Sequence, residues 1–169
     1  EREAEYHDPY TTLSAWGTGQ QGPWAYGGLY FDALHAHGGW IGSAEDLIRL
    51  ILAVDKYPTY PDIRAGSSID SMVYLPPGHS NAYAYGWDVN QNGHWWHLGS
   101  LPGTASVWVR TSTQYAWVFI TNFRNDQSST FYSGLDGLPW NCITNASGIP
   151  AHDLFPPKQN TSLIVSSGI

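Results

Sequence analysis

The sequence predicts an α+β domain in which an antiparallel β-sheet of three to five strands is flanked by helices. Two observations carry this expectation. Between Ser43 and Val54 a capping signal is followed by apolar residues at helical spacing. Between Ala84 and Asn122, β-branched and aromatic runs alternate with short turn-forming segments, as in an antiparallel meander.

Taken in chain order, residues Tyr6 to His37 are rich in Gly, Pro, Thr and aromatics and hold no period of 2 or 3.6 residues, which predicts a long structured loop. The helix signal follows. Ser43 is placed as N-cap, Asp46 lies three residues on, and Leu47, Leu50, Ile51 and Val54 form one apolar stripe. Tyr57-Pro58-Thr59-Tyr60-Pro61 ends it, because each proline removes a donor and restricts the residue before it. A second, shorter helix is expected around Ser68 to Tyr74. Ala84 to Val89 and Gly93 to Leu98 flank Asn90-Gln91-Asn92 as a hairpin, and Ala105 to Arg110 and Tyr115 to Asn122 flank the turn Thr111 to Gln114. A helix interrupted by Pro139 is expected between Ser128 and Asn145. Residues 1–156 form one domain in this reading and 157–169 a tail.

Composition narrows the function. A chain of 169 residues with 42% hydrophobic and 12% charged residues lies well inside the folded regime. The net charge of −7, without any basic run, excludes the phosphate neutralisation on which nucleic-acid binding depends. No apolar stretch approaches a membrane span, since the longest, Leu47 to Val54, contains Arg49. The charged start, Glu1 to Glu5, has no signal-peptide character, so a leader has been removed or the segment lies inside a longer chain. Cys142 stands alone, which rules out an internal disulfide, and is expected as a small buried hydrophobe. Two glycosylation sequons, at Asn145 and Asn160, with few lysines, favour an extracellular, secreted product. Nine Trp and eleven Tyr suit strand packing and apolar pockets. Trp16, Trp24 and Trp40 are expected to be exposed and capable of stacking on a ligand, Trp108 and Trp117 to be buried.

The most informative string is His97-Leu98-Gly99-Ser100-Leu101-Pro102-Gly103, set between two expected strands. It puts an imidazole and open backbone along a strand edge, as a substrate cleft requires. With Tyr85-Gly86-Trp87 before it, Trp117 to Asn122 after it, and the turn His37-Gly38-Gly39-Trp40 leading into the first helix, the ordered set resembles the C-terminal region of class C β-lactamase-like serine hydrolases, relatives of the penicillin-binding proteins. Asp153-Leu154-Phe155-Pro156 is similar to the end of such domains, so the resemblance runs from about Tyr6 to Pro156.

The resemblance implies acyl transfer to water from an ester or amide through an acyl-enzyme, with no cofactor. It makes His97, Gly99 and Ser100 the cleft-lining candidates, the His-x-Gly strand taking the place of the family's Lys-Thr-Gly. It also calls for a Ser-x-x-Lys and a Tyr-x-Asn, and neither is present: the lysines, Lys56 and Lys158, are preceded three positions earlier by Ala53 and Phe155. These residues alone are therefore expected to be non-catalytic, with the nucleophile on a companion segment. The alternative is a non-catalytic extracellular binding or structural module. Either reading leaves a half-fold face that calls for a second protein chain or self-association, besides a small acyl or peptide ligand. Zinc binding by His35, His37, His94 and His97 is disfavoured, because no carboxylate or Cys completes a known spacing.

Overall fold

A computed structural model describes residues 3–34, 37–125 and 128–151. The fold is α+β, as expected, with seven strands in two antiparallel sheets and three α-helices among these residues. Strands β1 (Thr11–Leu13) and β2 (Gln21–Pro23) form a small hairpin, followed by two 3₁₀ turns at Trp24–Tyr26 and Phe31–Leu34. The stretch expected as loop thus contains short elements, each too brief to show a period. Helices α1 (Ala44–Leu52) and α2 (Gly66–Met72) follow. Then come β3 (Asn81–Tyr83), β4 (Asp88–Asn90), β5 (Trp95–Leu101), β6 (Thr104–Arg110), β7 (Ala116–Thr121) and α3 (Phe131–Asn145). The last five strands pair in chain order, β3-β4-β5-β6-β7.

Helix α1 forms because its start is satisfied locally. The Ser43 hydroxyl accepts from the Asp46 N–H at 3.1 Å, and the Asp46 carboxylate accepts from the Ser43 N–H at 3.0 Å. Its apolar stripe buries Ile51 against the sheet. The helix ends at Leu52 with Ala53 as C-cap, and the turn beyond it passes through a left-handed Lys56 (φ 62°), whose ammonium pairs with Asp70 of α2.

The central sheet separates two packed layers. On one face Trp87, Val89 and Trp95 are buried with Ile51, Val54 and Ile69, beneath α1 and α2. On the other face Val107, Val109 and Trp117 are buried against Tyr132, Leu135, Trp140 and Ile143 of α3. Strand register assigns the faces: the Cα pairs Trp96↔Val109↔Trp117 and Leu98↔Val107↔Phe119 lie on the α3 side, and His97↔Trp108↔Val118 lies on the α1 side. Trp117 is buried as expected, and Trp108 is half-buried with its ring tilted against Trp87 at 4.9 Å.

One polar node lies inside the apolar layer. The buried Arg110 guanidinium sits between the rings of Tyr57 (4.1 Å) and Trp95 (4.5 Å) and donates to the Asp55 backbone carbonyl at 2.6 and 3.2 Å. Burial pushes the Asp55 carboxyl above its ordinary value and draws the Arg110 guanidinium below its own. The Asp55 carboxylate accepts from the Tyr57 N–H at 2.8 Å, closing the turn that follows α1.

Two further side chains depart from expectation. Cys142 is exposed, because α3 buries none of its residues completely and position 142 lies away from the sheet. Trp24 is half-buried, with the Arg124 guanidinium 5.0 Å above its ring; Trp16 and Trp40 are exposed. Asn145, at the exposed end of α3, hydrogen-bonds through its side-chain amide to the Asn141 carbonyl, while Asn160 and the expected tail lie outside the described residues. No helix among the described residues is long and apolar enough to cross a membrane.

Candidate functional site

The hairpin β5–β6 carries the string singled out in the sequence. Its two-residue turn, Pro102-Gly103, uses the fixed proline torsion and a left-handed Gly103 (φ 74°), the pattern of a type II turn. Gly103 serves packing as well. A Cβ there would lie 2.8 Å from Cβ of Tyr6 and 3.0 Å from that of Ala25. The Gly103 N–H also donates to Asp8 Oδ2 at 2.9 Å, while Asp8 Oδ1 accepts from Tyr10 N–H at 2.9 Å. The N-terminal segment is thereby pinned to the tip of the hairpin, with the His7 N–H bonded to the Asn122 carbonyl at 2.8 Å.

Strand β5 is paired unequally on its two sides. Every residue from Trp95 to Leu101 has a partner on β6, but β4 accompanies only Trp95 and Trp96. From His97 to Leu101 no strand among the described residues lies on the β4 side, so this length of β5 is a sheet edge among them. Gly38, in the turn that leads toward α1, approaches the end of this edge: a Cβ there would sit 3.5 Å from Cδ1 of Leu101.

The candidate residues divide between faces. His97 and Gly99 alternate onto the α1 side, whereas Ser100 registers with Ala105 and lies exposed on the α3 side. The strand therefore does not bring the His97 and Ser100 side chains together. His97 is half-buried, its Nε2 3.0 Å from the Tyr83 hydroxyl. Its ring lies between Tyr83 (centroids 5.8 Å) and its cross-strand partner Trp108 (6.1 Å), both edge-on. A Cβ at Gly99 would stand 2.3 Å from the Ser106 hydroxyl opposite, so a side chain there requires that hydroxyl to rotate away. The Gly99 carbonyl accepts from the Tyr132 hydroxyl at 3.0 Å, which ties the edge to α3.

Nothing in the sequence marks Tyr83 as a site residue; β3 is three residues long and its contact with His97 spans two strands. His94, near the start of β5, is held separately by the Ser112 N–H donating to Nδ1 at 3.0 Å. Among the described residues no three His, Cys, Asp or Glu side chains cluster as a metal site, and His35 lies outside them.

Comparison with known families decides the fold's kinship: the β-lactamase family model matches residues 1–132. The chain belongs to the β-lactamase family. Its match covers the whole sheet and ends at Tyr132, in the first turn of α3. No curated protein and no solved structure matches the chain. As a β-lactamase-family chain it has a serine-hydrolase-type fold.

Proposed function

We propose that these residues are the C-terminal part of a secreted serine hydrolase of the β-lactamase type, whose nucleophilic serine is carried by a companion segment outside the 169 residues. The observation that carries this reading is the unpaired β5 edge from His97 to Leu101, beside the Gly38-Gly39 turn, in a chain of this family. An ester or amide laid along the edge would present its carbonyl to the incoming serine. The serine oxygen attacks that carbon as its proton passes to a base on the companion segment, and the same proton is handed to the departing oxygen or nitrogen, which leaves as the alcohol or amine. Water then releases the acid and restores the serine. In this scheme His97 borders the acyl group and the β5 backbone aligns it. Extracellular placement is supported by the sequons at Asn145 and Asn160, the former exposed at the end of α3.

The test is intact mass and peptide mapping of the native material, with labelling by a fluorophosphonate. A companion segment bearing Ser-x-x-Lys that takes the label is the expected result. One specific observation favours a second reading, a non-catalytic extracellular module: both lysines lack a serine three residues before them. A native protein with no companion segment and no labelling would establish that reading and end the first.

A further inference from the structure

We propose that Tyr83 is a positioning residue that holds His97 as its Nδ1–H tautomer, so that in its neutral form the imidazole meets the bound acyl group as a hydrogen-bond donor. The functional half of this statement rests on the acyl-transfer reading above; the tautomer does not. Tyr83 Oη lies 3.0 Å from His97 Nε2. A neutral imidazole has one protonated and one bare ring nitrogen, and a phenol is a better donor than acceptor toward the bare one. The O–H therefore donates to Nε2, and the ring proton resides on Nδ1.

Two ring contacts border the imidazole. The edges of Tyr83 and Trp108 hold the ring from two sides, and Trp108 is anchored in turn by Trp87 in the apolar layer. Among the described residues no hydrogen bond engages Nδ1 of His97, which leaves that N–H for a ligand on the β5 edge. A single uncharged donor suits a carbonyl oxygen of an ester or amide. It supplies no fixed positive charge, so the site is expected to take uncharged acyl groups in preference to those carrying a carboxylate beside the scissile bond.

The experiment is long-range ¹H–¹⁵N correlation of the histidine rings in the full 169-residue chain, above the pH at which they titrate, with His97 assigned through the signals lost in His97→Gln. The expected spectrum has a protonated Nδ1 and a bare Nε2 at His97. Tyr83→Phe, which removes only the hydroxyl of a side chain that is 62% exposed, should move the proton to Nε2, the form an unattached imidazole favours. A protonated Nε2 in the unaltered chain, or an unchanged pattern in Tyr83→Phe, overturns the proposal. If the native material hydrolyses esters, the same substitution should lower kcat/KM about tenfold for uncharged substrates. Material that is inert while the ring shows the Nδ1–H pattern defeats the hydrolase reading alone.

Discussion

The two faces of the central sheet are packed to different standards. Beneath α1 and α2, six residues are buried in one cluster, Ile51, Val54, Ile69, Trp87, Val89 and Trp95, with contributions from both helices and from the sheet. Beneath α3, among the described residues, only Val107, Val109 and Trp117 are buried in a cluster, all of them from the sheet, and Trp117 Nε1 is buried with no hydrogen-bond partner among them. Helix α1 has a reciprocal cap and a clean apolar stripe, whereas α3 has no side-chain cap, two glycines and an internal Pro139 that cannot donate to the Leu135 carbonyl. Stability in this fold therefore comes chiefly from the α1 side, and α3 is held by partial aromatic contacts such as Trp117 on Trp140 at 5.0 Å. The β5 edge borders both layers: His97 rests on the well-packed side, and Gly99 is tied to the weaker one through Tyr132.

The largest test of this contrast is a pair of truncations. Ile69→Ala, at a fully buried site, should cost about 2–5 kcal/mol in denaturant unfolding, and Leu135→Ala in α3 less than about 1.5 kcal/mol. Equal costs would erase the distinction. Repairing α3 should act in the opposite direction. Pro139→Ala restores a helix donor, and thermal unfolding should show a gain of up to about 2 kcal/mol after the loss of proline's restraint on the unfolded chain. A destabilised variant would mean that the proline ring is itself a packing element.

Removing the α1 cap with Ser43→Ala should cost about 1 kcal/mol and leave hydrogen exchange in α3 unchanged. The smallest effect is on pH dependence. Because burial raises the folded-state pKa of Asp55 above its ordinary 3.8, the folded protein holds that proton at a pH where the unfolded chain has released it. Asp55 therefore favours the fold most at low pH, and its contribution declines as pH rises from 3.8 through the folded value. Asp55→Asn should remove that decline, read as a flatter plot of unfolding free energy between roughly pH 3.5 and 6, limits set around the ordinary carboxylate range. A plot as steep as that of the unaltered chain would place the titration elsewhere.

The helices and long strands are legible in the amino-acid sequence because their signals are local. Ser43 and Asp46 lie three residues apart, and the stripe from Leu47 to Val54 repeats within one element. Strands β1, β2 and β3, at three residues each, are too short to show alternation, so neither the N-terminal hairpin nor the partner of His97 leaves a pattern to read. Cys142, expected buried from its residue type, and Trp24, expected exposed from its loop position, both depart because burial depends on what packs above a residue, here an incompletely seated helix and the Arg124 guanidinium.

By itself, the sequence determined the α+β class, the order of the major elements and the string His97 to Gly103 as the place to look. It also determined that no Ser-x-x-Lys lies within these residues. Only the tertiary structure decided that β4 stops short of His97, that His97 and Ser100 point to opposite faces, and that Tyr83 meets the imidazole. The physical reason is that strand register and edge exposure arise from pairing between distant segments, which leaves no trace in the spacing of neighbouring residues.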